Sequence, residues 1–186
     1  VSVGFGGANT CVVVGRPETA AAVPRQAAGG SIARPREVVV TGLGVVLPEA
    51  VGNAPFAAMM LDAGRPMLVE APPAIDLQRL GDLLETPRVR RMSDYVKLSL
   101  AATRLALVDA SLPASPGDHA CCAAVLGTAH GSASYSADYY RQLVREGVDF
   151  GNAMLFAEGV PNAGAAHLSL MLGLKGPCQT IIGSRT

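Results

Sequence analysis

The chain has 186 residues, 49% hydrophobic and only 16% charged, with no tryptophan, a composition that excludes a disordered segment and suits a packed α/β core. Lys plus Arg equals Asp plus Glu at 15 each, so no global field points to nucleic acid or an anionic membrane as partner. No apolar run approaches the ~20 residues that span a bilayer, and no signal peptide is recognisable.

Residues 1–15 carry a glycine-rich turn, Gly4-Phe5-Gly6-Gly7-Ala8-Asn9, followed by Thr10-Cys11-Val12-Val13-Val14, which reads as a strand. Residues 16–36 are rich in Ala, Pro, Gly and Arg. Pro17, Pro24 and Pro35 discourage helix and Gly29-Gly30 adds freedom, the composition of a linker at a domain boundary. The run Glu37-Val38-Val39-Val40-Thr41-Gly42-Leu43-Gly44-Val45-Val46 then predicts a buried strand entering a glycine-bearing loop. A short helix is expected over residues 55–63 with Asn53 as N-cap, and a helical stretch over 76–84.

The clearest helix covers residues 93–110. Val96, Leu100, Thr103 and Leu107 share one face, and Leu98, Ala101, Leu105 and Val108 widen it. A second buried strand is predicted over 120–128 and an amphipathic helix over 135–146. An Ala-rich helix over 162–172 and a third strand over 179–182 complete the series. This order predicts an α/β fold, with a parallel or mixed sheet sandwiched by helices.

The glycine turn at residues 4–9 lacks G-x-G-x-x-G spacing and no helix follows, so it reads as a hairpin-like turn that lets backbone approach a pocket, not as a phosphate cradle. Thr41-Gly42-Leu43-Gly44 reads as a tight packing site for the same reason. Cys11, Cys121, Cys122 and Cys178 show no C-x-x-C spacing and read as buried free thiols of a reducing cytosol, hence a cytoplasmic protein. His130 and His167 are read as structural and His119 as solvated, with no carboxylate partner assignable from sequence. Arg88, Arg90 and Arg91 read as a solvated helix entrance, and Asp138 and Glu146 as solvent-face charges. Nothing here calls for a metal or a cofactor.

The tail, Cys178-Gln179-Thr180-Ile181-Ile182-Gly183-Ser184-Arg185-Thr186, is a β-rich run ending in small residues. Such a run delivers a nucleophile to a turn at a helix N-terminus, where the dipole favours a thiolate. The residue in the delivery position is Arg185, which is no nucleophile. Arg185 has two readings, a surface residue in a loop or a fixed cation filling a nucleophile's place, and spacing alone does not choose between them.

Together these motifs resemble the β-ketoacyl synthase family of condensing enzymes, in two pieces and in reversed order. Residues 1–14 are similar to the family's C-terminal FGFGGxN turn and final strand, and residues 37–47 to its N-terminal strand. Arg90-Arg91-Met92-Ser93, Val125-Leu126-Gly127-Thr128, Val160-Pro161-Asn162-Ala163 and Leu172-Gly173-Leu174-Lys175-Gly176-Pro177 then follow in family order. The resemblance implies a thiolase-like layered fold, helices packed on a mostly mixed sheet, of which residues 37–186 are an incomplete N-terminal half. Residues 1–15 would be the tail of an upstream synthase domain and 16–36 the linker. The simplest gene model is two synthase domains in tandem, sampled from the tail of the first to the midpoint of the second; a circular permutation is the alternative.

In that family a cysteine thiolate takes an acyl group from an acyl carrier protein thioester, and two histidines help decarboxylate a malonyl unit whose carbanion attacks the acyl group. The resemblance makes Phe5 the gating residue and an oxyanion donor of the upstream domain, with Gly4, Gly6, Gly7 and Asn9 beside it. Val3 stands where the family often has another Phe. Arg185 occupies the nucleophile's position in the second domain, Cys178 falls seven residues too early, and Ser184 is one position off. The second domain therefore resembles the chain-length-factor type, a non-elongating partner that pairs with an active synthase as a homodimer or pseudo-heterodimer. Two other readings are an acyltransferase using Ser184 and a structural or carrier-docking module. The implied partner is an acyl carrier protein bearing an acyl or malonyl thioester in fatty acid or polyketide synthesis.

Overall fold

The computed structural model describes residues 2–3, 9–10, 37–62, 74–84, 87–113 and 118–183, in two units, Val1–Val40 and Thr41–Thr186. In the first unit β1 (Ser2–Val3) pairs antiparallel with β2 (Asn9–Thr10), Ser2 opposite Thr10 and Val3 opposite Asn9. This agrees with the hairpin expected from the glycine pattern, and Asn9 sits in its second strand. Gly4, Phe5, Gly6 and Gly7 lie outside the described residues, as do Cys11 and the linker. The buried strand expected over 37–46 is corrected: Val38, Val39 and Val40 lie in no strand and are exposed, at 91%, 66% and 79%. A β-branched run becomes a buried strand only when neighbouring strands pair with it, and among the described residues none does.

The second unit is built around β3 (Ala124–Thr128) and β4 (Cys178–Ile182), paired in parallel from Ala124↔Cys178 to Thr128↔Ile182. Between them in sequence lie α3 (Ala133–Glu146), α4 (Ala153–Gly159) and α5 (Ala163–Leu172), the long crossover that a parallel pair requires. Before β3 come α1 (Asn53–Leu61), the 3₁₀ turns Leu77–Leu83 and Pro87–Arg91, and α2 (Asp94–Asp109).

The helix boundaries follow their caps. Ser93 caps α2, its Oγ accepting from the Val96 N–H at 3.3 Å. Asn152 caps α4 and accepts from the Met154 and Leu155 amides. This helix escaped the periodicity reading because seven residues are too few to show a face. At α1 the N-cap is Gly52 and not Asn53, whose amide instead donates to the Leu43 carbonyl at 2.8 Å. The strand predicted from residue 120 begins at Ala124, because 118–121 turn. That turn exposes Cys121 and Cys122, while Cys178 is half-buried, so the expectation of buried thiols is corrected. His119 is corrected in the other direction: it is buried, its ring Nε2 bonded to the Pro113 carbonyl.

The core joins Val89, Met92, Val96 and Leu100 to Ala124, Ala163, Leu168 and Leu172, with α5 lying on one face of the β3–β4 pair and α2 packed against α5. The α2 stripe is narrower than expected: Val96, Leu100 and Ala101 are buried, but Val108 is 68% exposed. The sheet's other face shows Val125 and Ile181 to solvent, so among the described residues the helices cover one side and do not sandwich it. Gly44 is where the loop after residue 41 meets α2: a Cβ there would collide with the Ala102 carbonyl oxygen. The tight packing expected of Thr41-Gly42-Leu43-Gly44 is what the fold shows.

Gly44→Ala is expected to lower the urea unfolding free energy of the full-length protein by about 2 kcal/mol, through overpacking against helix backbone. Gly127→Ala, where nothing lies within 4 Å of the added carbon, should change it by under about 1 kcal/mol.

Candidate functional site

Because β3 and β4 are parallel and in register, their carboxyl ends lie side by side, the position where open α/β sheets present chemistry. Gly183 donates its N–H to the Thr128 carbonyl at 3.0 Å, holding the chain at that end. Ser184 and Arg185 come next in sequence and lie outside the described residues. Cys178 sits at the opposite, amino end of β4, its Sγ directed to the Gly176 carbonyl at 3.7 Å. Five residues of strand, about 16 Å, separate it from Gly183. No rotation of its side chain brings that sulfur to the carboxyl end.

The loop after β3 is held rigidly. Gly131 donates to Thr128 Oγ1 at 2.9 Å and adopts φ 59°, against Pro161, where a Cβ would come 2.9 Å from that residue's Cα. The Tyr95 hydroxyl donates to the Pro161 carbonyl at 3.1 Å, tying α2 to the turn before α5. Burial raises the Tyr95 pKa above the ordinary 10.0, and the hydrogen bond with Thr128 works against that rise. His130, in this loop, is exposed.

Next to this loop is a buried polar node. Ser93 and Ser132, both almost fully buried, share a hydrogen bond of 2.7 Å between their hydroxyls. The Ser93 amide donates to Glu158 Oε2 at 3.0 Å, and the other carboxylate oxygen, Oε1, lies 2.7 Å from His167 Nε2. His167 therefore has the carboxylate partner that sequence did not assign. The Asn152 cap could have revealed α4, but nothing local pairs Glu158 with Ser93 across 65 residues.

Glu158 and His167 border a groove of about 470 Å³ whose floor includes Met92, Met154 and Met171 and whose rim carries Arg88 and Arg91. The three arginines at 88, 90 and 91 are exposed on the 3₁₀ turn Pro87–Arg91, as a solvated helix entrance would be. A second cavity, of about 580 Å³, lies between the 3₁₀ turns and carries Arg90 and Lys97.

A third feature is apolar. Tyr140 and Val144 stand four residues apart on α3, 65% and 87% exposed, and Val148 and Phe150 continue the exposed apolar series on the next 3₁₀ turn. Tyr139 stacks on Phe156 of α4 with ring centroids 5.6 Å apart, packing the two helices together under this surface. Asp138 and Glu146 lie on the solvent side of α3, as expected, bonded to Arg141 and Gln142. Among the described residues no group of three His, Cys, Asp or Glu side chains is placed to hold a metal, and no helix is long and apolar enough to cross a membrane.

The family model described as the beta-ketoacyl synthase N-terminal domain matches residues 82–183. A polyketide beta-ketoacyl synthase 1 of Streptomyces halstedii is 33% identical over an alignment of 165 residues that covers 78% of this chain and 39% of that protein. Among solved structures, the ishigamide ketosynthase/chain length factor superposes at a TM-score of 0.60 with 20% identity, over 77% of this chain and 39% of that one. A type II polyketide synthase acyl-carrier protein in complex with its ketosynthase matches at the same TM-score of 0.60, with 20% identity, over 77% of this chain and 41% of that one. A beta-ketoacyl synthase of Burkholderia phymatum matches at 0.54 with 18% identity, over 81% of this chain and 40% of that one. These likenesses establish the thiolase-like α/β fold, and the chain spans well under half the length of each of these relatives.

Ser93→Ala is expected to cost about 2 kcal/mol by thermal denaturation, since it removes the α2 cap and leaves the Ser132 hydroxyl buried without its partner. Adding Ser132→Ala should cost less than the sum of the two single changes. A pH titration of stability tests Tyr95. Its raised folded-state value means that the unfolded chain loses the proton first, so stability present below pH 10.0 falls as pH rises above it, and Tyr95→Phe should flatten that fall.

Proposed function

The chain belongs to the β-ketoacyl synthase family, and from that we propose that it comes from a fused condensing-enzyme pair of polyketide or fatty acid synthesis. On this reading residues 1–15 close an upstream synthase domain, with Phe5 as gate and Gly4, Gly6, Gly7 and Asn9 around its oxyanion site. Residues 16–36 link it to a second domain, which begins at residue 37. This second domain is a non-elongating partner of the chain-length-factor type, shaping the space into which an acyl chain grows.

The observation that carries the proposal is the geometry of β4. The strand pair aims its carboxyl end at the segment where family members place the nucleophile, and that segment reads Ser184-Arg185-Thr186. A guanidinium stays protonated at any physiological pH and cannot attack a thioester. The sulfur of Cys178 is held at the wrong end of the strand. No acyl-enzyme forms here, so chain extension falls to the partner domain.

Two surfaces suit the partners of such a domain. The exposed apolar series Tyr140, Val144, Val148 and Phe150 has the character of a pairing face and supports a dimer with an active ketosynthase. Arg88 and Arg91, above an apolar groove, suit an acidic carrier protein that brings an acyl or malonyl thioester. One structural relative is a ketosynthase/chain length factor and another is an acyl-carrier protein in complex with its ketosynthase, which supports the same assignment.

Peptide mapping by mass spectrometry of the full-length protein, incubated with an acyl-carrier thioester, should find no acyl group on residues 178–186. Arg185→Cys should acquire one. An adduct on Ser184 in the unmodified protein would overturn the proposal in favour of a serine acyltransferase. In a reconstituted synthesis Arg185→Ala should alter product length or yield; unchanged products would point to a docking module. Val144→Glu should weaken pairing at least tenfold in analytical ultracentrifugation, since it places a charge on the proposed face.

A further inference from the structure

The N-terminus of α2 lacks half of its local cap. In a capping box, the serine side chain takes the amide of the third helical residue, and a Glu or Gln at that position reaches back to the serine's own N–H. Ser93 performs the first half on Val96. The third helical position is Val96 itself, fully buried in the core, and it offers no acceptor. Ser93 is also fully buried, so water does not reach its amide. An amide left in that state would be costly.

Glu158, at the end of α4, supplies the missing acceptor from another element, with Oε2 3.0 Å from the Ser93 nitrogen. Its second oxygen engages His167 of α5 at 2.7 Å, so one carboxylate links the start of α2, the end of α4 and the middle of α5. The negative charge also stands at the positive end of the α2 dipole. Met92 and Ser93 continue directly from the 3₁₀ turn Pro87–Arg91, so this bond anchors the segment that presents Arg88 and Arg91 to the wall of the groove that α4 and α5 form.

We propose that Glu158 is a positioning residue: a long-range capping-box carboxylate that, by binding the Ser93 amide and His167 together, holds the arginine rim against the groove where a carrier protein is read. The proposal rests on the carrier-docking reading given above. Each carboxylate oxygen already holds a protein partner, Oε2 the Ser93 amide and Oε1 the His167 ring, so the role proposed for Glu158 in docking is through geometry.

The test uses the full-length protein and a fluorescently labelled holo acyl carrier protein of a type II polyketide system. In Glu158→Ala, amide hydrogen exchange at Ser93 should quicken about tenfold while exchange at Leu100, in the middle of the same helix, stays unchanged. Carrier affinity should fall several-fold, and Glu158→Gln, which keeps one acceptor oxygen, should recover part of both. If Ser93 and Leu100 exchange quicken together, or neither does, Glu158 is a general stabiliser or nothing, and the proposal fails. If Ser93 alone responds, carrier affinity holds, and Arg88→Ala with Arg91→Ala still weakens binding, the positioning role is refuted while carrier docking stands. If the arginine substitutions leave carrier affinity untouched, the docking reading itself is wrong and the positioning role falls with it.

Discussion

The in-register parallel pairing of β3 with β4 is the constraint on which the rest of the unit Thr41–Thr186 depends. A parallel pair cannot close through a tight turn, so the chain between must travel the length of the sheet and return. Here α3, α4 and α5 make that journey, and their lengths and caps are what hold Ala124 opposite Cys178. A slip of one residue would turn the inward-facing Ala124, Leu126 and Thr128 to solvent and present Val125 to α5. The same register sets Thr128 beside Ile182, and with it the exit at Gly183.

Packing on the inner face follows from small residues. Ala163, Gly164 and Ala165 at the start of α5 let the helix lie close to β3 and to the Tyr95 ring, and Gly44 does the same for the loop on α2. With so few aromatics, the core reaches density by close backbone approach and not by large side chains. Such contacts leave little room for adjustment, which suits a scaffold whose task is to hold loop ends in place.

Polar groups buried in this scaffold are paired across elements. Ser93 meets Ser132, Val96 and Glu158, and Glu158 meets His167, so the loop after β3, the start of α2, the end of α4 and the middle of α5 share one hydrogen-bonded node. In a low-dielectric setting each bond in such a network gains strength from the others, and loss of one leaves a neighbour unsatisfied. The arginine rim and the loop at the carboxyl end of the sheet are attached to that node from opposite sides. The two regions most suited to partners and to chemistry are thereby held by the same few atoms.

Much of this was legible in the residues themselves. Apolar periodicity located α2 and α3, an Ala-rich run located α5, and the β-rich tail marked β4, because these signals are local and short in range. The motif order identified the family, and the reading Ser184-Arg185-Thr186 next to Gly183 needed no coordinates at all. Tertiary structure decided what depends on neighbours distant in sequence. Whether Val38–Val40 is buried turns on strands that must lie beside it. Whether Cys121 is covered turns on a loop's path. Whether His119 and His167 are solvated or bonded turns on Pro113 and on Glu158 in a helix too short for its period to show. Hydrogen bonds and burial are properties of places in space, and a chain records them only where the partners happen to be close along it.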